Sequence, residues 1–250
     1  MRVAALYDIH GNLPALEAVL ADLERDAPDL VVTGGDVASG PFPHETIALL
    51  TQLRLPAAHV MGNADRELFT VAGCSDCAST GDDPMAQGSL WAARQLSEED
   101  REFLASFVPT VTLDIEGLGR VMFCHGSPFS DEESITIVTS DERLSDILAG
   151  VTETTIVCGH THSQFDRSQD GIRVINAGSV GMPYEDRPGA YWAWLGPDVQ
   201  LRRTEYDLER AARLIRSSAW PPGKAFAAEN IVTCPGAKEA AVILEPPVSP

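Results

Sequence analysis

Lysine is nearly missing from this chain. Lys224 and Lys238 are its complement, and Arg supplies the rest of the 18 cationic side chains. Against 37 acidic residues this leaves a formal net charge of −19. A surface so acidic repels nucleic acid and anionic lipid at long range. A nucleic-acid scaffold, a nuclease with a basic groove and a membrane-surface protein are therefore disfavoured. A small phosphate substrate is not, because bound cations can invert the field inside a cleft. The Arg-for-Lys bias is read as coding composition.

Long apolar runs are also missing. No stretch of about 18 apolar residues occurs, so no transmembrane helix is expected. The start, MRVAALYDIHGN, meets an Asp and a His where a signal peptide would carry its apolar region, which makes a cytoplasmic location the expectation. Five cysteines, an odd number, argue against a disulfide framework in a chain expected to be cytoplasmic. Cys124 and Cys158 each end an apolar run, as small buried hydrophobes do. Cys74-x-x-Cys77 has no second pair behind it, so it is read as a loop rather than a zinc or redox site.

What is present is an alternation of buried strands and helices. Val3 to Tyr7, Leu30 to Thr33 and Ala57 to Met61 read as strands. Between the first two, Leu13, Leu16, Leu20 and Leu23 keep a helical period, and Pro43 to Leu53 reads as a second helix. This β-α-β-α-β order predicts a parallel sheet with covering helices. Residues 64–108 read as mostly helical and as a possible cap over the sheet edge. Val111 to Ile115 and Val121 to Cys124 flank a hairpin signal, and Thr155 to Cys158 reads as another buried strand. Asp170-Gly171 and Gly196-Pro197-Asp198 mark turns in a β-rich later part, and Leu208, Ala211, Ala212 and Ile215 mark a late helix. One domain is expected over 1–235, with a tail over 236–250.

The chemistry sits in the breaks after the strands. They carry Asp8-Ile9-His10, Gly34-Gly35-Asp36, Gly62-Asn63, His125-Gly126 and Gly159-His160-Thr161-His162. In an open α/β sheet the carboxyl ends of parallel strands share one edge, where ligands bind. Asp8, His10, Asp36, Asn63, His125, His160 and His162 should therefore converge. Carboxylate, imidazole and amide oxygen suit divalent Mn, Fe, Zn or Ni. Seven such ligands exceed what one ion needs and fit two ions that share a carboxylate. Any one piece occurs by chance, but five in order, each behind a strand, form a site.

The order DIH, GGD, GN, HG, GHTH resembles the calcineurin-like metallophosphoesterase superfamily. The run Asn176-Ala177-Gly178-Ser179-Val180-Gly181 is similar to its bacterial and archaeal small phosphodiesterase branch. The resemblance covers residues 1 to about 205. It implies a four-layer α/β/β/α sandwich and a metal-dependent phosphoric ester hydrolase. It also implies one metal on Asp8, His10 and His162, a second on Asn63, His125 and His160, and Asp36 bridging them. Asn63 and His125 are at the same time the expected catalytic residues.

In this chemistry two divalent ions lower the pKa of a bridging water, so that a hydroxide attacks the phosphorus in line. Many members carry a His after Gly-Asn that helps to protonate the leaving group. Here that place holds Ala64, which has no proton to give. Substrates whose leaving groups need little help are then favoured: a phosphodiester or a dinucleoside polyphosphate before a phosphomonoester. His44, in a loop near the site, is a candidate for the missing acid, with an exposed loop His as the plainer reading. Asn12 and Arg66 are candidate substrate contacts, weighed against a helix cap and an ion pair with Asp65 or Glu67. Asp65 is read as capping the helix that follows it, and Trp192 and Trp194 as core. The rival reading is a non-catalytic interaction scaffold, which would show missing ligands; none of the seven is missing.

Overall fold

The computed structural model describes residues 1–72 and 83–245; Cys74 and Cys77 lie outside the described residues. The chain runs β1 (Val3–Leu6), α1 (Leu13–Asp26), β2 (Leu30–Thr33), α2 (Pro43–Thr51) and β3 (Ala57–His59), the alternation read from its apolar periods. These three strands pair in parallel. β9 (Ala190–Leu195) and β10 (Val199–Thr204) extend the same sheet antiparallel beyond β1, in the order β10-β9-β1-β2-β3. A second five-stranded sheet is built from β4 (Val111–Ile115), β5 (Gly119–Phe123), β6 (Thr155–Cys158), β7 (Phe165–Gln169) and β8 (Ile172–Asn176), in the order β4-β5-β6-β8-β7. Its three inner strands are parallel and both edge strands antiparallel.

Side-chain alternation stacks the layers. Val3, Ala5 and Tyr7 face inward and pack with Val32 against Val121, Phe123, Val157 and Ile175 of the second sheet. Ala4 and Leu6 face the other way, onto Leu16, Val19 and Leu23 of α1 and Ile47 and Leu50 of α2. Beyond the second sheet, Ile156, Cys158 and Val174 meet Leu144 and Ile147 of α6 (Asp141–Ile147). The result is the expected α/β/β/α sandwich. Trp192 and Trp194 join the outer core, and the Arg202 guanidinium covers both rings at 5.1 and 4.7 Å. They are core, as read.

The 64–108 stretch holds α3 (Asn63–Ala72), α4 (Pro84–Gln95) and α5 (Glu98–Ala105). Leu68, Ala92, Ala93 and Leu104 join the same outer core as α1 and α2. Ser97 and Asp100 form a reciprocal capping box at the start of α5. Asp100 also takes a hydrogen bond from His44 Nδ1 at 2.8 Å, so His44 is tied to α5. After α7 (Leu208–Ser217) and α8 (Gly223–Phe226), the segment expected as a tail is helical over Ala237–Leu244, α9. Ala240 and Ala241 are buried, and the Glu245 carboxylate accepts from Thr136, Thr139 and Arg143. Three polar anchors over 100 residues away fix this end, and no local pattern announces them. Among the described residues, no helix is long and apolar enough to cross a membrane.

Candidate metal centre

Backbone bonds tie the loop after β1 to the loop after β2, and the loop after β5 to the loop after β6. Asp8, His10 and Gly11 donate to Gly35, Asp36 and Val37, and Gly159 donates to His125 O. This zipper carries the loops out of the sheets without a ladder. It requires unusual dihedrals. Asp8, His10, Asp36, His160 and His162 all have positive φ, between 47 and 63°. Among described non-glycine residues only Ala27 and Asp170 share that region. Left-handed backbone is costly for such residues and persists where the surroundings over-determine it, as at functional sites. Gly62 answers a different need: a Cβ there would stand 2.2 Å from Asp36 Oδ1.

The structure brings the expected ligands together. Asp8 Oδ1 lies 3.4 Å from His162 Nε2, 3.9 Å from His10 Nε2 and 4.0 Å from His125 Nε2. Asp36 Oδ2 lies 3.5 Å from His125 Nε2 and 3.9 Å from His10 Nε2. Asn63 Oδ1 is 3.0 Å from His125 Nε2. Among the described residues, two groups have cation-ligating spacing, Asp8–His10–His162 and Asp8–Asp36–His125. Asp8 is common to both, whereas the family resemblance gives the shared role to Asp36; each carboxylate faces both sides. His160 stands outside these groups. Its ring centroid is 5.2 Å from that of His125, and its backbone N–H donates to Asp8 Oδ2 at 2.9 Å.

The histidine tautomers decide what the centre suits. His125 Nδ1 donates to Gly34 O and His162 Nδ1 to Met182 O, both at 2.8 Å; His10 Nδ1 faces Ser39 O at 3.3 Å. A carbonyl accepts only, so each Nδ1 carries the hydrogen and each neutral ring turns a lone pair inward at Nε2. His10 Nε2 and His162 Nε2 face each other at 3.1 Å. Two lone pairs at that distance repel unless something electrophilic lies beside them. Asp8 Oδ1 is fully buried and has no hydrogen-bond partner. Divalent cations fit this donor set. Without them the centre must take up protons. Burial pushes His125 down, but the Asp36 and Asp8 carboxylates outweigh it and hold it at about 10. Burial pushes Asp36 up, and the facing His125 outweighs that too, holding the carboxyl below its usual range.

Three supporting residues have roles the sequence did not show. Asp65 is buried; it reaches back to Gly62 N at 3.3 Å, a cap contact on its own helix, and beyond that accepts from Asp36 N at 2.7 Å and Val37 N at 2.9 Å. Burial and the Asp36 charge push its carboxyl up to about 7. Asn176 donates to Gly159 O and Thr161 Oγ1, holding the loop of His160 and His162. Ser179 donates to Asp8 O at 2.7 Å. The only sequence signal was motif membership, because all these bonds but the Gly62–Asp65 one join separate loops.

Asp65→Ala should strand the Asp36 and Val37 N–H groups, each costing about 1–3 kcal/mol when buried without a partner. Urea unfolding of the EDTA-treated protein should show a loss of about 2–4 kcal/mol, with Asp65→Asn losing less. An unchanged midpoint for Asp65→Ala would remove the brace from the account.

Asn12 is fully buried. Its Oδ1 accepts from Ala15 N, and its Nδ2 donates to Gly181 O and Tyr206 Oη. The helix-cap reading describes it, and both amide hydrogens are committed. Arg66 is ion-paired, but with Asp131 and Glu132 rather than Asp65 or Glu67.

The model of the calcineurin-like phosphoesterase superfamily domain matches residues 1–194. An uncharacterised protein of Methanocaldococcus jannaschii is 26% identical over 238 residues, covering 88% of this chain and 93% of that one. A crystal structure of a metallophosphoesterase from Sphaerobacter thermophilus is 27% identical with a TM-score of 0.73, covering 91% of this chain and 98% of that one. A hypothetical protein of Pyrococcus horikoshii shares the fold at 20% identity with a TM-score of 0.79, covering 90% and 97%. With fold, converging loops and family model in agreement, the chain belongs to the calcineurin-like phosphoesterase superfamily.

Proposed function

We propose that the chain is a phosphodiesterase or dinucleoside polyphosphate hydrolase that works with two divalent ions. Asp8, His10 and His162 would hold one, Asn63, His125 and His160 the other, and Asp36 would lie between them. The observation that carries this reading is the inward set of lone pairs: His10, His125 and His162 Nε2 around the unpartnered Asp8 Oδ1. When bound, such ions act as Lewis acids that activate water and neutralise charge on the phosphoryl group. The chain's own part is to hold the donors fixed. The Nδ1–carbonyl bonds fix the rings, Asp65 fixes the Asp36 loop, and Asn176 fixes the loop of His160 and His162.

Position 64 supports diesters and anhydrides over monoesters. Ala64 brings a methyl group, and its backbone N–H is committed to Asp36 Oδ1 at 2.8 Å. His44, the candidate replacement acid, is engaged with Asp100. A missing general acid costs about 10²–10⁴-fold where the leaving group needs a proton. With Mn added, bis(p-nitrophenyl) phosphate and diadenosine tetraphosphate should turn over at least about 10²-fold faster than an alkyl monoester such as glycerol 2-phosphate. Faster turnover of the monoester than of both others would overturn the ranking. Metal occupancy with no turnover on any of them would favour the scaffold reading.

A further inference from the structure

A cavity of about 340 Å³ opens beside the metal centre, and His125 forms part of its wall. Its other walls include Met61, Pro109, Pro128, Phe129 and Arg66. Phe129 is 70% exposed, an unusual position for a large aromatic ring beside a polar centre. It is held there by a tight turn. Ser127 N donates to Ser130 O at 2.7 Å, and Ser127 Oγ accepts from Phe129 N at 3.3 Å and Ser130 N at 3.2 Å. A large ring presented to water by a braced turn offers a face on which a flat partner can stack.

Charge decides what that partner is. Arg66 lines the cavity, but Nε reaches Asp131 Oδ2 at 2.7 Å, and Nη2 reaches Asp131 Oδ1 at 3.3 Å and Glu132 Oε1 at 2.6 Å. One guanidinium faces two carboxylates, so the Arg66 side of the cavity has no spare positive charge. It does not attract a second phosphate. It suits a neutral group with a flat face and N–H or O–H donors.

We infer that this cavity takes the nucleoside of a nucleoside phosphodiester, its base laid on Phe129 and its phosphate toward His125. The inference rests on the proposed diesterase reading and narrows its substrate class to nucleoside esters with a neutral ester group.

Two p-nitrophenyl diesters with the same leaving group test it: thymidine 5′-p-nitrophenyl phosphate and methyl p-nitrophenyl phosphate. The wild type should prefer the thymidine ester at least about tenfold in kcat/KM, within the range that base–aromatic stacking supplies. Phe129→Ala should reduce that preference about 5- to 100-fold, and Phe129→Trp should keep it. A second arm needs no turnover. By calorimetry on the Mn-loaded protein, AMP should bind at least about tenfold tighter than ribose 5-phosphate, and Phe129→Ala should erase the difference. Equal use of both diesters with no AMP preference overturns the nucleoside site while leaving hydrolysis standing. AMP selectivity that depends on Phe129, with no hydrolysis of either diester, supports the site and overturns the diesterase reading. Tighter binding of AMP that survives in Phe129→Ala overturns the stacking role.

Discussion

Asp36→Asn is expected to cut the turnover of bis(p-nitrophenyl) phosphate by about 10³-fold or more, with the fold intact. Asn keeps an oxygen for the Ala64 N–H that Asp36 Oδ1 accepts at 2.8 Å. The Asp65 brace acts on the backbone of residues 36 and 37, so it survives as well. What is lost is one of the two negative charges that the buried centre presents to cations, on the oxygen 3.5 Å from His125 and 3.9 Å from His10. Metal assistance is worth several kcal/mol of transition-state stabilisation, and about 1.4 kcal/mol is tenfold in rate. Circular dichroism in EDTA should match the wild type, while the melting temperature in EDTA should fall, because the metal-free centre loses the carboxylate that faces the charged His125. Activity within tenfold of the wild type would mean that Asp36 holds no ion that matters to the reaction.

Divalent ions should also stabilise the protein strongly. In their absence the centre packs three inward imidazole nitrogens, each within 4.0 Å of one or both of two buried carboxylates. Cations bind this folded arrangement and not the unfolded chain. At a hundredfold excess over Kd, each site adds about 2.7 kcal/mol. A chain of this size gains about 2–4 °C per kcal/mol. Saturating Mn should therefore raise the melting temperature of EDTA-treated protein by about 10–20 °C for two sites, or about half that for one. Mg, which prefers oxygen donors and keeps its water, should do much less. A Mn shift under about 2 °C would contradict a preformed centre.

Much of this site was legible because it follows from strand ends. Short β-branched runs such as Leu30–Thr33 and Thr155–Cys158 mark buried strands, and parallel strands deliver their following residues to one edge. The division into two stacked sheets was legible only through the family resemblance. No local pattern says that β9, nearly 190 residues on, pairs with β1 through Ala4 and Trp194. The bracing residues were hidden for the same reason. Asp65 follows a glycine turn and looks like a cap, yet its acceptors are used by Asp36 and Val37. The sequence offers Arg66 a phosphate or an ion pair with Asp65 or Glu67, but its partners are Asp131 and Glu132, far along the chain. Phe129 follows His125 by four residues, in a Ser-Pro-Phe-Ser turn that reads as an ordinary loop, and that both line one cavity emerges only from packing.

The central claim is that seven side chains on five loops form one two-ion centre for phosphoester hydrolysis. Equilibrium dialysis of the protein against Mn, with elemental analysis and a parallel assay on bis(p-nitrophenyl) phosphate, tests it most directly. The account predicts about two Mn per chain, about one or fewer in Asp36→Asn, and turnover that rises with occupancy of the second ion. Less than one Mn per chain in the wild type, or turnover indifferent to Mn and to EDTA, would contradict it.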